Sequence, residues 1–391
     1  MSRRLVALLA LTCGATVANL WYVTPLLNEI ADGFGASQAA AGLLVTAVQA
    51  GYVLGLAFLV PLADLLERRR LIVRVLAATA LAGAACALAP SMAALLVALL
   101  ALGLTAAVAQ IVVPLASLLA APGERGQVVG IVMSGLLVGV LGARTVAGGV
   151  AELGGWRLVF ALGGALMLVL ALVLRRALPR VEPAERIPYG AALRSIATLV
   201  RAEPVLRQRM ALGAIAMAGF SMLWTAIALL LGDAPYHYGE GVIGLFGLAG
   251  LAGVLIAPVA GRWADRGHGR TVLVAFLVLV VASWGLLAAG RTSLVALIAG
   301  IVLFDLAIQG QHISNQSAIY ALRPEARGRL TTAYMVSYFL GGTVGTLAAA
   351  AAWELDGWTG VSLVGVALGL GALAVLAATR RIGAGAAVTA R

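Results

Sequence analysis

The sequence predicts an all-α polytopic membrane protein: twelve transmembrane helices in two six-helix bundles related by pseudo-twofold symmetry. Three observations carry this. First, the 391-residue chain is 62% hydrophobic and only 11% charged, with a mean hydropathy of +1.04. Soluble domains are about half apolar and about a quarter charged, so the solvent of this chain is lipid, where only helices or closed barrels satisfy the backbone. Second, the apolar runs are continuous and about 20 residues long, which suits crossing helices and not ten-residue alternating strands. Third, short features recur at one offset. Asp64 and Asp265 stand 201 residues apart; Arg125-Gly126 and Arg327-Gly328 stand 202 apart, as do Gly155-Trp156 and Gly357-Trp358. The chain is one unit repeated twice.

Taken in order, the apolar segments fall at about 5–30, 38–62, 71–90, 93–119, 128–150, 157–175, 210–232, 241–261, 271–289, 292–321, 330–353 and 359–379. Six lie in each repeat. The start Ser2-Arg3-Arg4-Leu5 has the shape of an export signal. Removing it would leave the first repeat one span short, so the first span is expected to be retained. One long connector, 176–209, holds Pro179, Pro183 and Pro188 and then an amphipathic stretch, Tyr189–Val200. It reads as a linker with a surface helix. The expected division is 1–175 for the N-terminal bundle, 176–209 for a cytoplasmic linker and 210–391 for the C-terminal bundle.

Charge placement sets the orientation. All 27 basic residues are arginine. Those outside the spans cluster at the two termini, the linker and the loops at 63–70, 120–127, 262–270 and 322–329, while the opposite loops hold only Arg157 and Arg291. By the positive-inside rule both termini and the linker are expected to face the cytoplasm. The net charge of +11 is therefore an orientation signal that touches anionic lipid, and no nucleic-acid partner is expected. The absence of lysine excludes a Walker A site and a Schiff base. Cys13 and Cys86 fall in apolar runs without metal spacing. No metal cluster, Gly-x-Ser-x-Gly elbow or phosphate loop occurs, so neither an enzyme, a catalytic residue, a metal nor a cofactor is expected.

Asp305 is the only carboxylate well inside an apolar run, and Arg74 and Arg144 are the arginines within spans. Asp305 stands near mid-membrane, where a carboxylate can bind and release a proton as its surroundings alternate; a structural hydrogen-bonded acid is the other reading. On the same helix face lie Gln309, His312 and Gln316, with Asn315 beside them. This polar stripe calls for a wet cavity, with His312 a candidate proton partner. Arg144 stands in the outer third of its span, as an anion or relay contact or as a snorkelling cation.

The stretch Pro61-Leu62-Ala63-Asp64-Leu65-Leu66-Glu67-Arg68-Arg69-Arg70 resembles the loop between spans two and three of the major facilitator superfamily. Gly261-Arg262-Trp263-Ala264-Asp265-Arg266 resembles its counterpart between spans eight and nine. Asn19-Leu20-Trp21-Tyr22-Val23-Thr24-Pro25, Gly357-Trp358 and the run Phe304–Gln316 resemble the drug:proton antiporter branch. The resemblance implies the fold of that superfamily, a monomer, and alternating access around a mid-membrane site. It assigns a cytoplasmic latch to Asp64, Arg68 and Arg69, with Asp265 and Arg266 in the second copy. It lines the cavity with spans one, four, seven and ten, which makes Asn19, Tyr22, Gln110 and Trp224 candidates, with Gln49 in span two beside them. The chain departs from the pattern at Val60 and Glu67, where glycines are usual, at Leu99, where many drug antiporters carry arginine, and at Arg144-Thr145, where the span-five motif has Gly-Pro. The expected function is proton-coupled export of a small amphipathic, drug-like compound. A proton symporter or facilitator importing a small metabolite or organic anion is the alternative, and a non-transporting receptor or scaffold is the alternative of another class.

Overall fold

The computed structural model describes residues 1–36, 38–183, 187–232, 235–238 and 269–379, with Phe246, Ile256, Val259 and Arg262 singly; the side chains at 28, 38–42, 144 and 228 are not among those described. Every regular element among the described residues is helical. Nine helices there are long and apolar enough to cross a membrane. The eighth expected span, at 241–261, lies outside the described residues apart from single positions.

The chain divides into two compact units. The first holds Met1–Ala121, Ile131–Ser195 and Pro324–Thr332; the second holds Pro122–Gly130, Ile196–Arg323 and Ala333–Arg391. The two nine-residue segments stand 202 residues apart, and each is counted with the unit of the other repeat.

In the first unit, α1 (Arg3–Ala18) is capped by Ser2, whose hydroxyl accepts from the N–H of Leu5. The expected first span does not run on as one helix. The chain leaves α1 at Asn19, turns, makes a 3₁₀ turn at Thr24–Leu26 and continues as α2 (Leu27–Phe34), ending at Gly35 in the left-handed region. Pro25 sits in that turn and has no N–H to extend the helix. Then α3 (Gln38–Leu54) passes through a π-turn at Gly55–Leu59 and a 3₁₀ turn at Val60–Asp64. Next come α4 (Arg68–Ala87), α5 (Met92–Ala106) and α6 (Ala109–Leu119). The 53-residue α7 (Arg125–Ala177) is broken at Gly154 and Gly155, the latter at φ 75°. That conformation strains any residue with a Cβ.

The amphipathic α8 (Tyr189–Ala202) follows. It leads into α9 (Pro204–Gly232), which starts earlier than the sequence pattern places it, because Pro204 suits the first helical position. Arg207 and Arg209, counted above with the linker, therefore lie in its first turns. After α10 (Gly269–Ala289) and α11 (Leu294–Leu322), the 52-residue α12 (Arg327–Ala378) breaks at Asp356 and Gly357, the latter at φ 53°.

Each unit buries an apolar core. Tyr22, Leu99, Trp156 and Phe160 anchor one; Trp284, Phe304, Ile308 and Trp358 anchor the other. Close helix crossings set the frame. A methyl group at Gly135 or Gly139 of α7 would run into the carbonyls of Ala10 or Gly14 of α1. In the second unit, Gly341 and Gly345 of α12 meet the carbonyls of Ala214 and Ala218 of α9 in the same way. With no hydrophobic drive between helices in lipid, such small-residue contact is what holds them together.

Candidate functional site: a buried charge cluster and a polar stripe

Asp64 is fully buried in the first unit, at the end of the 3₁₀ turn after α3. Its two oxygens accept the backbone N–H groups of Gly328 (2.9 Å) and Arg329 (3.0 Å), the first turn of α12. This is an anion on a helix N-terminus, held by the orphan donors and the macrodipole. Arg329 adds its Nε at 3.2 Å, and Arg68 stands 3.7 Å away; both arginine side chains are 4% exposed. Arg68 also gives its Nε to the carbonyl of Ala63 (2.9 Å), and Arg329 its Nη1 to the Ser195 hydroxyl of α8 (3.0 Å). Arg69 is not part of this cluster; its Nη1 reaches the carbonyl of Leu178 at 3.4 Å.

Glu67 caps α4. Its oxygens accept from the N–H groups of Arg69 (2.9 Å) and Arg70 (3.0 Å), and also from Val181 (3.3 Å). It thereby ties the end of α4 to the chain that follows α7. A glycine at this position could do neither. Burial pushes the Glu67 carboxyl up, but the three backbone N–H groups and the Arg69 charge pull it further down, so it titrates below the usual carboxylate range.

The second unit carries the polar stripe on α11. Asp305 is 3% exposed, forms no ion pair among the described residues, and its Oδ1 has no hydrogen-bond partner there. The Trp224 indole N–H of α9 is likewise buried without a hydrogen-bond partner among the described residues. Two turns on, His312 lies with Nδ1 3.0 Å from Tyr334 Oη and Nε2 3.2 Å from Gln316 Nε2. Tyr338 lies against its ring at 4.6 Å between centroids. Asn315 donates to Tyr334 Oη at 3.5 Å and accepts from Arg209 Nη1 of α9 at 3.2 Å. A continuous chain of polar contacts thus runs Arg209–Asn315–Tyr334–His312–Gln316. The Gln316 amide and the Tyr334 hydroxyl face the two ring nitrogens, and which of them donates follows the imidazole tautomer.

A family model described as the Major Facilitator Superfamily matches residues 7–346, with a second match over 210–388. The chain belongs to the major facilitator superfamily. Among relatives, it is 47% identical over 370 residues to the "Uncharacterized transporter YgaY" of Escherichia coli O157:H7, covering 95% of this chain and 94% of that one. It is 28% identical over 372 residues to the "Inner membrane transport protein YnfM" of Escherichia coli strain K12, covering 94% and 87%. In fold it is similar to the human organic anion transporter MFSD10 (TETRAN), with a TM-score of 0.76, 19% identity, and 96% and 99% of the two chains covered. This superfamily protein is therefore a multi-pass membrane transporter by kinship.

The remaining candidate residues of this transporter fall in different surroundings. Asn19 is buried and caps α1 through its amide, at 2.9 Å from the carbonyl of Ala15 and 3.1 Å from that of Thr16. Tyr22 is buried in the first core. Gln110 donates to Tyr52 Oη at 3.1 Å, leaving its own carbonyl oxygen buried without a partner among the described residues. Gln49 is exposed, Gln309 half-buried. The Arg144 side chain, Asp265 and Arg266 lie outside the described residues. Sequence reasoning missed Arg209, Arg329, Tyr334 and Tyr338. Arg329 and Arg209 were hidden among loop arginines that serve orientation, and the tyrosines among apolar neighbours that share no spacing with the α11 stripe.

Proposed function

We propose that this transporter couples proton movement to the export of a small amphipathic compound, by alternating access in the bacterial inner membrane. The single observation that supports this reading is Asp305: a carboxyl buried within a crossing helix, with no counter-ion and an unpartnered oxygen among the described residues. Such a group does not stabilise a membrane helix. It suits a proton site, and His312 lies two turns along the same face. Entry of a proton down a membrane potential supplies about 2.3 kcal/mol per 100 mV. The name of the inner-membrane relative supports the location, and the arginine distribution supports cytoplasmic termini. In this reading 1–175 and 210–391 are the two bundles, 176–209 joins them, and the protein works as a monomer.

The test is transport in proteoliposomes under an imposed pH gradient, with internal pH recorded while lipophilic cations, sugars and aromatic acids are offered. Substrate-triggered proton release is expected, and Asp305→Asn is expected to lower it on the order of 100-fold. Substrate flux without proton movement, or full coupling in Asp305→Asn, overturns the reading. Arg144-Thr145 in place of the antiporter motif's Gly-Pro favours a second reading, an importer or facilitator of a small metabolite or organic anion, which predicts proton-independent or inward-coupled uptake.

A further inference from the structure

Arg209 lies in the second turn of α9, inside a helix long and apolar enough to cross the membrane. Its position does nothing for the helix, because a cation near the N-terminal end opposes the macrodipole. The Arg209 side chain is half-buried and its Nε is fully buried, and a buried charged group is destabilising unless it is compensated. The buried Arg68 and Arg329 share the carboxylate of Asp64. Arg209 has no carboxylate within ion-pair reach among the described residues. Its Nη1 donates to the neutral Asn315 oxygen at 3.2 Å, and its Nε is buried with no partner among the described residues. The groups that follow from it, Asn315, Tyr334, His312 and Gln316, include no carboxylate, and the first two carry N–H and O–H groups. The edge of a guanidinium that carries Nε is the edge that grips two oxygens of a carboxylate or phosphate in parallel.

We propose that Arg209, with Asn315 and Tyr334, is an oxyanion subsite, and that the transported solute carries a carboxylate, sulfonate or phosphate group that binds there. This rests on the transporter reading but not on its direction or its proton coupling. Among the described residues no carboxylate neutralises Arg209, and the negative group of the solute takes that place. Asp305, ten residues away on α11 and so about 15 Å along the helix, stays free for the proton.

The test is binding, so it fails or succeeds independently of coupled flux. Full-length protein in phosphatidylcholine nanodiscs is titrated calorimetrically with benzoate, with its neutral isostere benzamide, and with sulfate against chloride at equal ionic strength. Benzoate is expected to bind at least about tenfold tighter than benzamide, a difference of about 1.4 kcal/mol. Arg209→Gln is expected to erase that preference, and Arg209→Lys, which keeps the charge but not the fork, to weaken it several-fold. Asn315→Asp places a carboxylate on Arg209 without changing side-chain size. It is expected to raise the melting temperature and abolish benzoate and sulfate binding, an outcome that misfolding cannot imitate. Equal binding of benzoate and benzamide by the wild type, or an undiminished preference in Arg209→Gln or Asn315→Asp, overturns the proposal. A second set of nanodiscs containing phosphatidylglycerol separates the two sources of an oxyanion. Unchanged benzoate affinity assigns the subsite to the solute; Arg209-dependent competition by the anionic lipid assigns it to a headgroup and overturns the solute.

Discussion

The two repeats carry the same contact with its arginine on opposite sides. In the first unit, Arg157 Nη2 donates to the carbonyl of Ala89 at 3.0 Å; in the second, Arg291 Nη1 donates to the hydroxyl of Thr359 at 3.3 Å. Positions 89 and 291 stand 202 apart, as do 157 and 359. The tie between two helix ends was kept while the residue that makes it changed places. The same holds for the broken helices, at Gly155 with Trp156 and at Gly357 with Trp358, and for the glycine crossings. These are demands of the backbone, and each copy meets them. Elsewhere the copies part. At the same offset, Gly103 is matched by Asp305, Gln110 by His312, Val113 by Asn315 and Pro114 by Gln316. Gly103 must be small, because a methyl there would run into the carbonyl of Val48; its counterpart carries a buried acid. At these positions the polar stripe is therefore confined to one copy.

The comparison breaks first at Asp64. If the Asp64 cluster is frame, Asp64→Ala should lower stability by about 3–5 kcal/mol, because two arginines and two helix N–H groups lose their common acceptor in a buried setting. Thermal unfolding in detergent measures this, and Asp64→Asn, which keeps one acceptor oxygen, should lose less. A wild-type melting curve for Asp64→Ala would remove the cluster from the frame. Smaller, and sharper as a comparison, is the pair Gly139→Leu and Gly341→Leu, 202 residues apart. Each overpacks the equivalent crossing in its own repeat, and each should cost about 1–3 kcal/mol. A large loss in one and none in the other would mean that the two crossings do different work.

His312 and Gln110 test the divergent side. His312→Gln removes the imidazole that joins Tyr334 to Gln316, and should slow transport about tenfold, equal to about 1.4 kcal/mol. Gln110→His, at the matching position of the other copy, should change transport less than about twofold. Flux in proteoliposomes compares them directly. Equal effects would mean that the stripe on α11 has no privileged role.

Much of the frame was legible in the sequence because lipid leaves few choices. Run length and continuity gave helices, and the 202-residue offset gave the repeat. Asp305 and His312 stood out because a polar residue in an apolar run is conspicuous. Other features were not legible, for physical reasons. The break after Asn19 follows from a side chain that caps its own helix, a local competition that an apolar run conceals. Arg209 looked like one more linker arginine until Pro204 started α9 early enough to include it. Glu67 looked like a departure from the superfamily loop, and its reason lies 114 residues away at Val181.

That last contact gives the smallest expected effect and one with a defined pH signature. The Glu67 carboxyl titrates below its ordinary value in the folded protein. A carboxylate of this kind stabilises above its unfolded pKa, about 4.3, and that contribution is lost as pH falls through the folded pKa. At pH 7 Glu67→Gln should cost about 1 kcal/mol, the worth of a helix cap. Between pH 7 and 5 that difference should stay constant, and it should shrink below about pH 4. The readout is the rate of proteolysis near Val181, with melting temperature as the second measure. The variant should be cut faster at neutral pH and no faster in acid. A difference that persists unchanged in acid would mean that the Glu67 charge is irrelevant and that the contact is only steric. No difference at any pH would detach Glu67 from the loop after α7 and leave that loop held by Arg68 N–H on the Val181 carbonyl and by Arg69 on Leu178.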